Sequence, residues 1–507
     1  MLNRKTILII GAGVSGLSAG INAQEHGFNS IILEKNDSVG GLCTGWNRYG
    51  QHLDGCIHWL TGTKENTELN SMWKDLGAFC SQDDLIYLDS WGTFDYQGVK
   101  VTFWKDIKRA ENEWLEIAPE DKREIHHFFK MVRDFNKIEL PLSQPIDHMN
   151  IFKILNLGLK VLSVWPSYLL SMTISTEKYA KKFKNPALRW AMKNVQPGDG
   201  NLFSMLYSYS TIVDGNGGIP KGGSKIMVER MKDRYLSLGG TLKLNTEVNN
   251  ILFKNKTAVG VLLKDGRKVY GDYVVTCVDP NYVTNKLLYG FYKIPTLEKR
   301  YQQFKACPAP SCCLFYFDIE DMPSINIPYS FETEPFYVGG EKITHLTLRS
   351  YSYDSDTFKK NNRTVCSVMI DQYSEHYAYW NDLYKNHPNL YKRIKNQLAE
   401  AIMFRLIHKF PTFKGKIRIL DVCTPKTLNR YTNASRGAYM GFLFTHKDPM
   451  FTHNGQINGL KNLYLSGQWM QCPGGLPLAA AQGKFAIQRI CKKENVAIML
   501  SPKGHTI

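Results

Sequence analysis

Thr6-Ile7-Leu8-Ile9-Ile10-Gly11-Ala12-Gly13-Val14-Ser15-Gly16 carries the reading that decides the fold, and Glu34 completes it. The β-branched apolar run predicts a buried parallel strand that delivers the chain to a glycine elbow. At Gly11 the tight turn needs unusual φ/ψ, the missing Cβ of Gly13 lets backbone N–H groups approach a pyrophosphate, and Gly16 lets the next helix pack close to the sheet. That helix, predicted over 17–26, aims its amino end at the elbow, where unpaired N–H groups and the positive dipole end favour an anion. Gly27 stops it. Residues 30–33 predict a second parallel strand, and Glu34, 18 residues past Gly16, stands where a carboxylate accepts from a ribose diol. A bare GxGxxG is weak evidence, but strand, helix, glycine stop, second strand and acid in register predict a dinucleotide-binding βαβ unit.

NAD and FAD both use the ribose contact, so the acid does not choose between them. The residues that follow are Lys35, Val39-Gly40-Gly41-Leu42, Trp46, Gly50 and Leu53-Asp54-Gly55-Cys56-Ile57-His58-Trp59. Here the chain resembles the flavoprotein oxidoreductases that include phytoene desaturases, carotenoid isomerases and retinol saturases, and more distantly the amine oxidases. The resemblance implies that Lys35 and the Gly40-Gly41-Leu42 turn continue an FAD site. The Asp-x-Gly-x-His stretch is more similar to the saturase and isomerase branches.

An independent signal lies at the far end of the chain. Residues 461–465 predict a short buried strand, Gly467 follows, and Cys472-Pro473-Gly474-Gly475-Leu476-Pro477-Leu478 leads into an alanine-rich helix through Ile490. This is a second strand, glycine turn and helix start, suited to a flavin's ribityl chain and to the edge where negative charge develops on reduction. In the family an acidic residue often follows the strand glycine; here it is Gln468, whose amide can still hydrogen-bond. The resemblance also covers 424–427, Arg430-Tyr431 and 437–439, and the stretch 217–223. It implies that the chain returns to the cofactor sheet through 218–248, with Val248 against the adenine.

The implied architecture is α/β: a Rossmann-like, GR2-type FAD-binding domain built from 1–67, 207–281 and 418–507, with an inserted α+β substrate domain. Its two inserts are 68–206, helix-rich and amphipathic over 106–138, and 282–417, with strand-like runs and a long helical pattern over 383–409. Residues 258–270 predict a hairpin about Asp265-Gly266. A chain of 507 residues with 43% apolar content can bury such a core. The net charge of +17 suggests an anionic partner, yet no nucleic-acid module is present, so nucleic acid is not expected. The eleven cysteines are scattered, odd in number, and include the neighbours Cys312 and Cys313, with no CxxC pair and no metal-type cluster. They predict reduced thiols in a cytoplasmic protein, as does an amino terminus that runs straight into the first strand.

Residues 151–174 are largely apolar but interrupted by Lys153, Gly158, Lys160 and Pro166, which disfavours a membrane-spanning helix. Lys178, Lys181, Lys182, Lys184, Arg189 and Lys193 follow, with only Glu177 and Asp199 in opposition. An apolar stripe beside a cationic cluster predicts either a peripheral membrane contact through about 151–193 or a core helix followed by a solvated basic one.

The chemistry is less legible than the binding. The candidates for proton or hydride partner are His58, Asp54, Lys221, Arg430 and Tyr431, placed near the flavin by the resemblance. Against this, His58 beside Trp59 reads as a satisfied structural histidine, Asp54 as a loop tie, and Lys221 and Arg430 as donors to backbone carbonyls. No second GxGxxG marks a separate nicotinamide site, so oxygen, a quinone, another protein or a transient carrier stays open as electron partner. The resemblance implies an FAD enzyme that desaturates, saturates or isomerises double bonds of a long isoprenoid or polyene lipid. A flavin amine oxidase acting on a small polar substrate and a non-catalytic prenyl-binding protein of the GDP-dissociation-inhibitor kind are the alternatives.

Overall fold

A computed structural model describes residues 4–138, 142–196, 200–323, 325, 328–445 and 451–498 of the chain, so Asp199 lies outside the described residues. The strand Thr6–Ile10 sits at the centre of a five-stranded parallel sheet ordered Thr241–Lys243, Asn29–Leu33, Thr6–Ile10, Tyr273–Thr276, Leu463–Leu465. Its unbroken apolar run follows from burial on both faces. Ile7 and Ile9 pack among the helices Val14–Glu25, Gly223–Ser237 and Leu476–Glu494, whereas Leu8 and Ile10 pack on the antiparallel strands Val248–Lys254 and Thr257–Leu263.

Two helices from opposite ends of the sequence meet over this sheet. Ser18 donates its hydroxyl to the carbonyl of Ala480 at 2.7 Å, and Ser15 and Ser466 share a hydrogen bond at 2.8 Å. The approach is close enough that a Cβ on Gly483 would lie 2.3 Å from the Ser15 carbonyl oxygen, and one on Gly16 only 1.9 Å from that of Gly11. Gly16→Ala is therefore expected to push the helix off the sheet and cost about 1–3 kcal/mol. An unchanged thermal midpoint would show that the elbow has more slack than these distances allow.

The second large sheet is ordered Ile417–Cys423, Ser311–Glu320, Arg363–Gln372, Glu341–Ser350, Tyr329–Val338, Ser90–Tyr96, Val99–Trp104. One face, including Phe315, Phe317, Leu348 and Val368, buries against Ile402 and Leu406 of the helix Pro388–Lys409. The other face looks toward the parallel sheet. Three elements depart from the sequence expectation. The hairpin Ser90–Tyr96/Val99–Trp104 arises inside the first, helix-rich insert and joins this sheet. The helical pattern over 383–409 divides into Tyr377–Asn386 and Pro388–Lys409, because Pro388 cannot donate to the preceding turn. Gly217–Pro220 pairs with Leu60–Thr61 and Leu85–Ile86 rather than entering the five-stranded parallel sheet.

The rest of the first insert packs around Trp114, Phe128 and Phe129, joined by Tyr209 of the helix Leu202–Val213, which runs past the expected boundary at 206. Ile151–Leu162 and Trp165–Thr173 form a pair bent by 85°, and among the described residues no single helix is long and apolar enough to cross a membrane. None of the residues of Ile151–Leu162 is buried; Phe152 is 77% exposed and Leu159 64%.

Candidate active site

One cavity of about 960 Å³ lies between the carboxyl ends of the parallel strands and the free face of the second sheet. Gly11, Gly13, Val14 and Ser15 line it from the first elbow; Glu34 and Lys35 from the second strand; Gly40, Gly41 and Leu42 from the turn that follows. Val248 lines it near Glu34, and Gly467, Gln468, Gly475 and Leu476 close it from the carboxyl-terminal segment. Ala12 and Gly16 stand behind this wall, the first tying the loop and the second the helix.

The cradle has the shape of an absent side chain. A Cβ on Gly13 would have its nearest neighbour at 3.8 Å, one on Gly467 would meet nothing within 4 Å, and one on Gly475 only Pro477 Cδ at 4.0 Å. Both helices that begin here, Val14–Glu25 and Leu476–Glu494, lack a side-chain N-cap bond and an acid in the first turn. Their first N–H groups are thus left to a ligand with negative charge.

Glu34 accepts from the Ala12 N–H at 2.8 Å and the Asn36 N–H at 2.9 Å, leaving lone pairs on both oxygens for a diol. Lys35 is occupied elsewhere: its ammonium donates to the Arg430 carbonyl at 2.9 Å and to Asn433 Oδ1 at 3.1 Å. Gln468 donates its amide to the Tyr439 carbonyl at 3.4 Å.

Of the proton-carrier candidates, His58 is enclosed in the cavity wall. It makes no hydrogen bond among the described residues, which corrects its reading as a satisfied structural histidine. Burial, and then the nearby Arg349, hold its imidazole well below the ordinary range, so it is neutral. Asp54 ties the loop. It accepts from the N–H groups of Cys56 at 2.9 Å and Ile57 at 3.3 Å and from both the N–H and the hydroxyl of Ser224. Burial raises its carboxyl while these bonds lower it.

Lys221 and Arg430 are not brought to the cavity. Lys221 is exposed at the turn after the buried strand Gly217–Pro220, which pairs with Leu60–Thr61 and Leu85–Ile86. In the helix Pro425–Thr432, Leu428, Tyr431 and Thr432 face the cavity, so Arg430 falls on the outer side, over the rings of Tyr384 and Tyr431 at 5.9 and 5.3 Å. Among the described residues neither side chain donates to a backbone carbonyl.

The half of the cavity away from the elbows is built by strand alternation. Cys312, Leu314 and Tyr316 line it from one strand, Ser367, Met369 and Asp371 from the next, and His345, Thr347 and Arg349 from the third. Trp59, Trp91, Phe94, Phe203 and Tyr207 also line it, Trp91 and Phe94 from the hairpin that joins this sheet. Asp371 pairs across the sheet with Cys312 and accepts from the Tyr439 hydroxyl at 3.3 Å; burial pushes its carboxyl up to about 7. His345, beside Trp190 and near Lys193, is pushed down to about 4, chiefly by burial.

Residues 14–491 match the family model of flavin-containing amine oxidoreductases. The chain belongs to this family. Among curated relatives, a lycopene-forming phytoene desaturase of Paracoccus sp. is 27% identical over 281 residues, 54% of each chain. An all-trans-retinol 13,14-reductase of Danio rerio is 22% identical across 95% of this chain and 86% of its own. The chain spans about half the length of the phytoene desaturases it matches first. A solved oxidoreductase from Methanosarcina mazei, 15% identical, superposes with a TM-score of 0.57 over 96% of this chain and 100% of its own. As a flavin-containing amine oxidoreductase the protein uses FAD, and the two glycine elbows fit it. When bound, FAD supplies a carrier for the hydride at N5. The elbows' backbone N–H groups would hold the dinucleotide, while the protein keeps His58 and Asp371 enclosed and lines the rest of the cavity with aromatic side chains.

Proposed function

We propose that this flavoprotein desaturates, saturates or isomerises carbon–carbon double bonds of a long polyene isoprenoid, drawn from the cytoplasmic face of a membrane. The observation that carries the reading is continuity: the glycine-walled nucleotide crevice and the aromatic-walled space over the second sheet are one cavity. In this reading Asp371 exchanges the proton that accompanies hydride transfer, since its carboxyl can give or take a proton near neutrality.

Access from a lipid surface is supported by Phe203, which lines the cavity and packs edge-on against Tyr168 of Trp165–Thr173 at 5.9 Å. The exposed apolar side chains of Ile151–Leu162 lie on the same bent pair, and exposed Lys178, Lys181, Lys182 and Lys184 follow it. All eleven cysteines are free thiols, which supports a reducing compartment. Replacing Phe152, Leu155 and Leu159 together by Asp is expected to lower flotation with phosphatidylglycerol vesicles by about tenfold or more while leaving the fold intact. Flotation unchanged by the triple variant would remove the membrane contact from the reading.

The activity itself is tested by extracting lipids from cells with and without the gene product. A change of two mass units in a polyene, or an isomer shift at constant mass, is expected. Unchanged lipids beside a changed amine pool would favour the amine oxidase alternative, and a colourless protein that cannot be reconstituted with FAD would favour the prenyl-binding one.

A further inference from the structure

Arg349 is a cation without a partner in the substrate half of the cavity. Its side chain is enclosed by protein, and the surface it keeps is the cavity's own. Among the described residues it makes no hydrogen bond and no ion pair. None of the groups that face it bonds to it, although Asp54 attracts it through space. The Asp54 carboxylate is taken up by Cys56, Ile57 and Ser224, His58 is neutral, and burial raises the phenols of Tyr351 and Tyr353, keeping them protonated. Asp371 belongs to another part of the wall. Arg349 stands opposite Ser367, four residues and on the order of 13 Å along the strand from Asp371.

A buried guanidinium left unpaired is costly, and its planar fork matches a carboxylate. We infer that Arg349 anchors the carboxylate of the substrate, so that the lipid is an apolar polyene chain ending in an acid rather than a pure hydrocarbon. The inference rests on the polyene reading above and names its head group. A single carboxylate fits better than a diphosphate, because the other cavity-lining cations are committed or remote. Lys35 is bonded to Arg430 and Asn433, and exposed Lys193 and Lys342 lie toward the other end of the row from His345 to Arg349. The position is also deep. Lys193 and His345 lie together, and Arg349 is four residues farther along the same strand as His345, so the acid would enter head first.

The test uses the FAD-loaded protein with retinoic acid, its methyl ester and squalene in neutral detergent micelles, read by perturbation of the visible flavin band. Native protein is expected to bind the acid at least about tenfold more tightly than the ester, as loss of a buried charged contact implies. Arg349→Met should erase that preference, and Arg349→Lys should keep part of it. The thermal midpoint of Arg349→Met should stay level or rise, because no internal partner is abandoned. Equal binding of acid and ester by the native protein, a preference that survives in Arg349→Met, or a marked fall in that variant's midpoint would overturn the anchor. Squalene binding without any preference for the acid removes the anchor and leaves the polyene reading standing. Failure of all three probes to bind removes both.

Discussion

Gly13→Val is expected to give a folded protein without flavin. Gly13 has φ −70° and ψ 178°, an ordinary extended conformation that valine adopts without strain. A Cβ there would meet no protein atom nearer than 3.8 Å, so the fold leaves room for a side chain to start, and Gly13 lines the crevice. The space it takes is the space the backbone N–H groups of the elbow leave for a pyrophosphate. The purified variant should show native-like circular dichroism and no visible flavin band above background, even after incubation with excess FAD. Retention of stoichiometric flavin would mean that the dinucleotide lies along another wall. The contrast with Gly16 is diagnostic, since there the same added carbon strikes the Gly11 carbonyl and the damage is to the fold.

Asp371→Asn is expected to lower turnover by about 10²–10⁴-fold while leaving FAD bound. Because burial lifts this carboxyl to about 7, the sign of the pH dependence follows the direction of the reaction. If Asp371 donates a proton, as saturation requires, activity falls as pH rises through about 7; if it accepts one, as desaturation requires, activity rises through the same window. Asparagine should flatten the limb in either case. Stability carries a matching signature. A carboxyl raised in the folded state contributes stability that is fully present below its ordinary value of 3.8 and is lost as pH rises through about 7. The native protein's thermal midpoint should therefore decline across that interval relative to the asparagine variant. A variant with native turnover and an unaltered profile would leave Asp371 as a wall residue only.

How much of this was legible in the sequence depends on how local each feature is. The elbow from Ile10 to Gly16, the strand Asn29–Leu33 and the start of Leu476–Glu494 are each specified within about 30 residues, by glycines, apolar runs and helix ends that act over a few bonds. That these glycine-rich segments meet at one cavity could be read for that reason. Lys221 and Arg430 were placed by proximity to recognisable segments, and one half-turn of a helix or one misassigned strand partner was enough to turn them outward. Arg349 and Asp371 gave a fainter sign. Each is a charged residue on the cavity-facing parity of an apolar strand, within Ile343-Thr344-His345-Leu346-Thr347-Leu348-Arg349 and Val368-Met369-Ile370-Asp371. Alternation alone says that such a residue shares a face with its second neighbours, but not whether that face meets water or a cavity. Only the pairing of Tyr316 with Ser367, and of Ser367 with Arg349, decides that.

The sheet that frames the nucleotide crevice takes its middle strand from Thr6–Ile10 and its edge strand from Leu463–Leu465, near the two ends of the chain. A ribosome must therefore carry the chain from Ile10 on to Leu463 before that crevice has both lips. Cofactor capture then waits on the last strand of the sheet rather than on the first elbow. Until then the nascent protein carries an unfinished strand edge and a bare apolar helix face, the kind of surface that holdase chaperones cover.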